Sequence, residues 1–485
     1  MIDQLKQIDR IYDLMALCGA YILCELKKKT YEFALFEDDD YDCVYDAIER
    51  YCCEVQEKGR RIAFEELKDY ILSYMTPEVT IEKCFAVVKY IDELVEIEIQ
   101  GKLLGARHII KYCALNEQYT DNIRIIPKMK RTFLERGDIQ FKSIYNSQYS
   151  LFRDRRECAC SILDEEMLNY MVWDREHINK YPMWIYRFDE KSIVFKHFYE
   201  RKEIIFGIVP FTSRPLKEIL DIKYEDKVFY VEQMNEEAEN DLRERYREIC
   251  NKCEQEDIDF LIIPEMLMTG TIISAIRNKE KVSSPQFIIN GSIWKDFMNK
   301  SIITDGRGEE IFSYNKKEPY RAKKGGIEYK EYLEQDKNRE YSIMEIDGVG
   351  RIGVGICKDI LNEDVKLFHK YVGTDILIVP ACTKSMDLLA AAEGMSKEYN
   401  CVVAVANTCA ALHESDKENT RKRIGFITLP AKCDTDRAQI TVNYYQDGCM
   451  KECSNRCIGK KFIIDFYNIK EYKEGISYEV TEMTF

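Results

Sequence analysis

Three apolar stretches of the sequence end in side chains that can take part in covalent chemistry. A carboxylate, Glu265, ends LIIPE; two ammonium groups, Lys316 and Lys317, end IFSYNKK; and a thiol, Cys357, ends RIGVGIC. A thiolate can attack an acyl carbon, a carboxylate can carry protons, and an ammonium can stabilise the negative charge that develops on oxygen. Together the three groups predict a site for acyl transfer.

Strand-like runs and helical patterns alternate in the part of the chain that holds these residues. Buried strands are indicated by EIIFGIVPF, DFLIIPE, RIGVGIC and DILIVPA, and a helix between the first two by NEEAENDLRERYREICNKCEQE. This alternation is typical of an α/β domain. Because side chains just past the carboxyl ends of such strands point into the ligand crevice, we expect Glu265, Lys316 and Cys357 to meet there.

The motifs IIPE, YNK and GICKD, in this order, resemble the Glu-Lys-Cys motifs of the nitrilase, or carbon–nitrogen hydrolase, superfamily. The resemblance extends from about Lys202 to about Phe466. It implies an α/β fold in which two mixed sheets pack face to face between helical layers, a four-layer α-β-β-α sandwich. It also implies three roles: Glu265 would be the general base, Lys316 would bind the oxyanion, and Cys357 would form the thioester.

Further roles follow from the resemblance, with alternatives left open. Family members use a second glutamate between the lysine and the cysteine to orient the substrate. We assign this role to Glu328, in KKGGIEYKEYL, with Glu331 and Glu318 as alternatives. Lys317 is an alternative to Lys316 as the oxyanion lysine. The backbone N–H after the cysteine could supply a second oxyanion donor.

The motifs also depart from the family pattern. Family members usually carry a histidine two residues after the lysine, where this sequence has Glu318, and an aromatic residue after the cysteine, where it has Lys358. The acidic residue Asp359 remains. Cys357 alone also has a plain structural interpretation, because cysteine is among the most often buried residues. As a nucleophile it needs a lowered pKa, which a neighbouring ammonium would provide.

The chain before about Glu135 has few glycines and carries apolar residues at helical spacing, as in IDRIYDLMALCGAYILCEL. Thr80 is predicted to be the N-cap of a helix that continues through IEKCFAVVKYIDELVEIEI. We therefore predict an all-α N-terminal domain of unknown role at residues 1–198 and a nitrilase-like domain at residues 199–485.

Composition limits the classes of function and the compartment. The net charge of −15 argues against a general nucleic-acid binder, because phosphate binding depends on clustered Lys and Arg. No stretch approaches the ~18 consecutive apolar residues of a membrane span, and the N-terminus MIDQLKQIDR is too polar for a signal peptide. The 19 cysteines are odd in number and irregularly spaced, so we expect reduced thiols in the cytoplasm.

No metal or organic cofactor is predicted. Cys449, Cys453 and Cys457 are four residues apart, whereas structural zinc sites prefer two-residue gaps. A glycine loop of the GxxxxGK[ST] type, which would indicate ATP binding, is absent from the sequence.

The sequence thus predicts a hydrolase that cleaves a non-peptide carbon–nitrogen bond of a small molecule, an amide in preference to a nitrile, through a thioester on cysteine. One alternative is an N-acyltransferase with the same thioester chemistry. Another is a catalytically lapsed nitrilase-like scaffold that binds a protein partner through its N-terminal helices. The resemblance also implies a homodimer or a higher homo-oligomer.

Overall fold

The computed structural model separates the chain into two compact units, Met1–Met129 with Asn146–Pro182 and Lys130–Tyr145 with Met183–Phe485. Each unit is described by itself. The structure describes residues 2–6, 14, 17–19, 21, 22, 25, 39–58, 64–99, 123–127, 170–174, 183–188, 194, 197, 198, 203–212, 214–277, 284–334, 340–346, 349–372, 374–383, 387–399, 401–412, 422–429, 440–446, 459–472 and 475–484.

The first unit contains helices and one pair of strands. They are α1 (Ile2–Lys6), α2 (Asp39–Glu57), α3 (Phe64–Met75), α4 (Ile81–Ile99), β1 (Ile123–Pro127) and β2 (Tyr170–Asp174). The N–H of Lys83 donates to Thr80 Oγ1 at 3.2 Å, so α4 begins with the predicted cap. The packing of α2 against α4 brings the rings of Tyr41 and Phe85 to 5.9 Å.

The expectation of an all-α domain at residues 1–198 is wrong in two respects. Strands β1 and β2 pair antiparallel within the first unit. A further strand, β3 (Met183–Phe188), also precedes residue 198, but it pairs in parallel with Tyr341–Ile346 of the second unit. The last change of unit along the chain therefore lies between Pro182 and Met183. Strand β3 is the edge strand of its sheet and leaves Trp184 59% exposed.

The second unit is built on two large sheets and one small sheet. Its remaining strands are β4 (Glu203–Ile208), β5 (Leu220–Glu225), β6 (Val228–Met234), β7 (Phe260–Ile263), β8 (Phe287–Asn290), β9 (Ile293–Lys295), β10 (Met298–Asp305), β11 (Glu310–Asn315), β12 (Arg321–Lys324), β13 (Ile327–Glu331), β14 (Tyr341–Ile346), β15 (Gly350–Val354), β16 (Ile376–Pro380), β17 (Val402–Ala406), β18 (Lys422–Leu429), β19 (Ile440–Gln446), β20 (Lys460–Tyr472) and β21 (Gly475–Thr484). The first sheet has the order β11-β10-β8-β7-β4-β20-β21, with β9 on β10, and the second has the order β19-β18-β17-β16-β15-β14-β3. The small sheet has the order β12-β13-β6-β5.

Helices of the second unit connect these strands and cover their faces. They are α5 (Leu216–Ile219), α6 (Glu236–Gln255), α7 (Gly270–Ile273), α8 (Glu363–Tyr371), α9 (Asp387–Tyr399) and α10 (Cys409–Leu412), with 3₁₀ turns at Ser274–Ile276 and Cys357–Leu361.

The two large sheets pack against each other, and helices lie on their other faces. Phe188 of β3 meets Phe287 of β8 at 5.4 Å between ring centroids, which joins the second sheet to the first. Helix α6 buries Tyr246 in one cluster with Leu261 of β7. Helix α9 contacts β18, where the carbonyl of Ala392 accepts a hydrogen bond from a threonine side chain.

The strands that lead to Glu265 and Cys357, and their parallel neighbours, are almost fully buried. Strands β4, β7 and β8 are parallel neighbours in the first sheet, and β15, β16 and β17 in the second. Burial on both faces explains why these strands are short continuous apolar runs in the sequence. Among the described residues, no helix has the length and apolar character needed to cross a membrane.

Candidate active site

Ends of several strands converge on one buried group of side chains. Glu265 lies two residues beyond β7, and Lys316 directly follows β11. Glu331 is the last residue of β13 in the small sheet. Cys357 lies three residues beyond β15, at the first position of a 3₁₀ turn. The structure therefore brings the three residues singled out by the motifs together, and it adds Glu331.

An ammonium between two carboxylates forms the centre of the site. Lys316 Nζ donates to Glu265 Oε1 at 2.7 Å and to Glu331 Oε2 at 2.6 Å, and all three side chains are almost completely buried. Asn299 Nδ2 bridges the same carboxylates, at 2.9 Å to Glu265 Oε1 and 2.9 Å to Glu331 Oε1. The backbone N–H of Tyr320 adds a bond of 2.8 Å to Glu331 Oε2. This network fixes the position of the ammonium from two sides.

The charges of the network set the protonation of its members. Burial opposes the charge on Lys316, but Glu265 and Glu331 outweigh it and raise the pKa of the ammonium well above its ordinary value. Burial raises the pKa of Glu265, Lys316 counteracts this shift, and Glu331 adds to it. Lys316 therefore stays charged, while Glu265 is a stronger base than an exposed glutamate.

Cys357 presents its thiol to this network from a sharp turn. Its φ is +50°, in the left-handed region that side chains other than glycine rarely adopt, and the residue is fully buried. The thiol and Glu265 are close enough to shift each other's pKa, and the backbone N–H of Cys382 lowers the pKa of the thiol. The same N–H donates to Glu265 Oε2 at 3.1 Å.

The expectation that a neighbouring ammonium lowers the pKa of the nucleophile is wrong as a net effect. Burial and the charge of Glu265 raise the pKa of the Cys357 thiol well above its ordinary value, although Lys316 lowers it. Of the two charges, that of Glu265 affects the pKa of the thiol more than that of Lys316 does. The resting thiol is therefore protonated and requires a base, and Glu265 is the neighbouring carboxylate.

Asp359 connects the cysteine turn to the lysine segment. Its Oδ1 accepts from the backbone N–H groups of Lys317 at 2.8 Å and Glu318 at 2.7 Å, and its Oδ2 accepts from that of Ile356 at 2.8 Å. Burial raises the pKa of Asp359 to about 6, while the three N–H groups oppose the shift. Because these bonds flank both Lys316 and Cys357 in the chain, Asp359 sets the distance between them.

The two alternatives that adjoin Lys316 in sequence lie outside this network. Lys317 Nζ donates to the carbonyl of Glu340 at 2.7 Å and lies 4.9 Å from the centroid of the Tyr341 ring, and burial lowers its pKa to about 8. Glu318, at the place of the family histidine, accepts a hydrogen bond of 2.8 Å from Asn362 Nδ2. Asn362 caps α8, so Glu318 braces that helix.

The assignment of the second glutamate to Glu328 is wrong in its geometry, and Glu331 takes the position. The Glu328 side chain is 47% exposed and pairs with Arg321 Nη1 at 2.8 Å. Side chains alternate between the two faces of a strand, so residues three apart on β13 point to opposite faces. The face that carries Glu331 is the face that meets Lys316.

Three residues that contribute to the network were not predicted from the sequence. Asn299 lies within β10, and its amide is recognisable only once β10 is known to pass the two carboxylates. Tyr320 contributes a backbone N–H, which no residue type reveals. Cys382 follows β16 by two residues, and the end of that buried strand is the one signal that could have indicated it.

A metal site has no support among the residues that the structure describes. No group of three or more His, Cys, Asp or Glu side chains there could hold an ion. The spacing of Cys449, Cys453 and Cys457 belongs to a segment outside the described residues.

Comparison with known proteins gives matches among solved structures alone. No family model matches the chain, and no curated protein matches it. Nit3 of Saccharomyces cerevisiae, a member of the nitrilase superfamily, matches with 16% identity and a TM-score of 0.32, over 50% of this chain and 89% of that one. An amidase from Nesterenkonia sp. matches with 11% identity and a TM-score of 0.33, over 53% of this chain and 95% of that one.

A third match is to a protein of which the matched part is less than half. It is the glutamine-dependent NAD+ synthetase of Acinetobacter baumannii, with 10% identity and a TM-score of 0.32, over 58% of this chain and 45% of that one. The chain is thus similar to solved structures of nitrilase-superfamily proteins, the family that its motifs resemble.

Proposed function

We propose that the chain hydrolyses a non-peptide carbon–nitrogen bond of a small molecule, an amide in preference to a nitrile, through a thioester on Cys357. One observation carries the proposal. A buried ammonium, Lys316, lies between two carboxylates, and one of them, Glu265, neighbours a thiol on a strained turn. Burying these charges costs free energy, because they lose their hydration. Buried ionisable groups with shifted pKa values are concentrated at functional sites, so the cluster indicates such a site.

The first half of the reaction forms the thioester. Glu265 takes the proton of the Cys357 thiol as the sulfur attacks the carbonyl carbon of the amide. Lys316 Nζ and the backbone N–H of Lys358 stabilise the oxyanion of the tetrahedral intermediate. When the intermediate collapses, the carbon–nitrogen bond breaks and Glu265 returns the proton to the departing nitrogen, which leaves as an amine or ammonia.

The second half releases the acid. Glu265 takes a proton from a water molecule as its oxygen attacks the thioester carbon, and the same oxyanion donors stabilise the second intermediate. The carbon–sulfur bond then breaks, and the proton returns to the Cys357 sulfur. The raised pKa of Glu265 suits this double role, because the carboxyl has to accept and return a proton in each half.

Glu331 holds the ammonium in place through both halves. Its carboxylate binds Lys316 from the side opposite to Glu265 and is itself held by Asn299 and the backbone of Tyr320. It therefore resists movement of the ammonium toward Glu265 when the negative charge on that carboxylate changes.

The architecture supports the same proposal. The order of α6, the first sheet, the second sheet and α9 agrees with a four-layer α-β-β-α sandwich. A cytoplasmic location, homo-oligomer formation and a protein partner for the N-terminal unit stay predictions from the sequence.

The test is turnover of a panel of small primary and secondary amides and the matching nitriles. We expect release of ammonia or amine from at least one amide, none with Cys357→Ala, and unchanged turnover with Cys43→Ala, which removes an exposed cysteine on α2. Adding hydroxylamine distinguishes hydrolysis from acyl transfer, because an acyltransferase would form hydroxamate in preference to acid. Turnover by Cys357→Ala at the wild-type rate would refute the mechanism.

A further inference from the structure

A second thiol lies at the end of the strand next to the nucleophile. In the parallel pair β15 and β16, Val354 is the partner of Ile378, and the N–H of Gly355 donates to the carbonyl of Ile378 at 3.1 Å. Cys357 lies three residues beyond the first of these partners, and Cys382 four beyond the second. Since neighbouring strands are about 4.8 Å apart, the register brings the two cysteines to the same end of the sheet as near neighbours.

Hydrogen bonds tighten this neighbourhood. The backbone N–H of Cys382 donates to Glu265 Oε2 at 3.1 Å, and it also lowers the pKa of the Cys357 thiol. The spacing of neighbouring strands, about 4.8 Å, falls within the range of separations that a disulfide spans, about 4.4 to 6.8 Å between Cα atoms.

Exposure differs between the two cysteines. Cys357 is fully buried, whereas Cys382 is partly exposed. A solvent-borne oxidant therefore meets Cys382 first, because oxidation of cysteine follows access as well as thiolate character.

We propose that Cys357 and Cys382 form a reversible disulfide when the protein meets a peroxide, and that this bond switches the site off. The inference rests on the proposed function, since it uses the same nucleophile and the same base. It makes Cys382 the cysteine that reacts with peroxide, and so a modification site in its own right, and it makes Cys357 the cysteine that resolves the sulfenic acid.

The chemistry balances with hydrogen peroxide as the oxidant. The Cys382 thiol attacks one peroxide oxygen, the O–O bond breaks, and a sulfenic acid and one water form. Glu265 then takes the proton of Cys357, whose sulfur attacks the sulfenic sulfur, so that an S–S bond forms as the S–O bond breaks. The departing hydroxide takes the proton from Glu265 and becomes the second water. Two thiols have lost two electrons and two protons to one peroxide.

The experiment treats the full-length protein with hydrogen peroxide, alkylates the remaining thiols and digests without reduction. Wild type and the control Cys43→Ser are expected to give one peptide pair joined between Cys357 and Cys382, which dithiothreitol separates into two thiol peptides. In Cys382→Ser the pair cannot form, and the Cys357 thiol is expected to stay reduced because it is fully buried. Reaction with p-nitrophenyl acetate should fall about tenfold after peroxide in wild type and Cys43→Ser and recover with dithiothreitol, whereas Cys382→Ser should keep the rate that it has before peroxide.

Two results would overturn the inference: Cys357 and Cys382 oxidised on separate peptides in wild type, or Cys357 joined to a different cysteine. Circular dichroism of Cys382→Ser checks that the variant folds, and Cys382→Ala serves in its place if it does not. The peptide measurement needs no amide substrate, so the two proposals can fail separately. If the peptide pair forms but no amide is turned over, the disulfide proposal is supported and the proposed amide hydrolysis is refuted. If amides are turned over but no pair forms, the hydrolysis is supported and the disulfide is refuted.

Discussion

Replacing Glu331 by Gln is expected to lower the acylation rate and the free energy of unfolding strongly. The same replacement of Glu328, on the same strand, should leave both almost unchanged. Glu331 accepts bonds from Lys316 at 2.6 Å, Tyr320 N–H at 2.8 Å and Asn299 at 2.9 Å, all in a buried setting. Glu328 makes one ion pair on the surface. The two variants remove the same charge from positions three residues apart.

The magnitude follows from what a glutamine can still do at position 331. Its oxygen can replace Oε2 and keep the bonds from Lys316 and Tyr320, each weakened by about 1 kcal/mol because the acceptor is no longer charged. Its amide nitrogen then faces the Asn299 Nδ2 donor, and that bond is lost at about 1–3 kcal/mol. Loss of the repulsion between Glu331 and Glu265 offsets part of this. We expect a net loss of roughly 3 kcal/mol in the free energy of unfolding, against about 0–1 kcal/mol for Glu328→Gln.

The effect on catalysis should exceed the effect on folding. Without its second carboxylate, Lys316 is drawn toward Glu265 and away from the oxyanion, and loss of one well-placed oxyanion donor costs about 10² to 10³ in rate. The assay is the burst of p-nitrophenolate from p-nitrophenyl acetate, which reports acylation of the cysteine, together with urea unfolding of each variant. Equal burst rates in the Glu331 and Glu328 variants, or a slower burst with Glu328→Gln, would refute the role assigned to Glu331.

Three further predictions concern the neighbours of the nucleophile. Lys316→Met should lower the acylation rate by about 10² or more, whereas Lys317→Met should leave it within a few fold, because Nζ of Lys317 binds the carbonyl of Glu340; comparable losses would contradict the assignment. The pKa of Lys317 is lowered from 10.5 to about 8, so between these pH values the unfolded chain binds more protons than the folded chain. The free energy of unfolding of the wild type should therefore rise with pH across that window. Denaturant unfolding from pH 7.5 to 10.5 should show this rise, and Lys317→Met should lack it. Asp359→Asn turns an amide N–H₂ either toward the backbone N–H of Ile356 or toward those of Lys317 and Glu318, so at least one hydrogen bond is lost. The acylation rate and the unfolding midpoint should therefore both fall. An unchanged burst in a less stable protein would limit Asp359 to a structural role.

The sequence contained enough information to place Glu265 and Cys357 after buried strands of one domain. Each follows a strand that is buried on both faces, and such strands are continuous apolar runs that can be recognised without knowing their partners. The order of the three motifs added Lys316, and the structure brings all three side chains together. What the reaction is, and on which substrate, stays a proposal.

The sequence could not distinguish Glu331 from Glu328. Strand β13 belongs to the small sheet, where it pairs in parallel with β6 about 100 residues away in the chain, and it leaves Ile327 50% exposed. Ile327 and Glu331 lie on the same face of β13, and this face is exposed at Ile327 and buried at Glu331, so the alternation of apolar and polar residues could not indicate which glutamate faces the lysine.

The same limit applies to Asp359 and to the domain boundary. The acidic residue was visible after the cysteine, but two of its three partners are backbone N–H groups more than 40 residues away, which carry no side-chain signal. Strand β3 completes a sheet whose other members begin some 150 residues later, so only tertiary pairing assigns it to the second unit.

The most direct test of the account is the identity of the residue that becomes acylated. Wild-type protein is mixed with p-nitrophenyl acetate, quenched with acid during the burst, and digested for peptide mass spectrometry. The account predicts an acetyl group on Cys357, none on the peptide of Cys357→Ala, and sharply reduced acetylation of Cys357 in Glu265→Gln, because the buried thiol then lacks its base. Acetylation spread over exposed cysteines such as Cys43 and Cys53, with Cys357 unmodified, would contradict it.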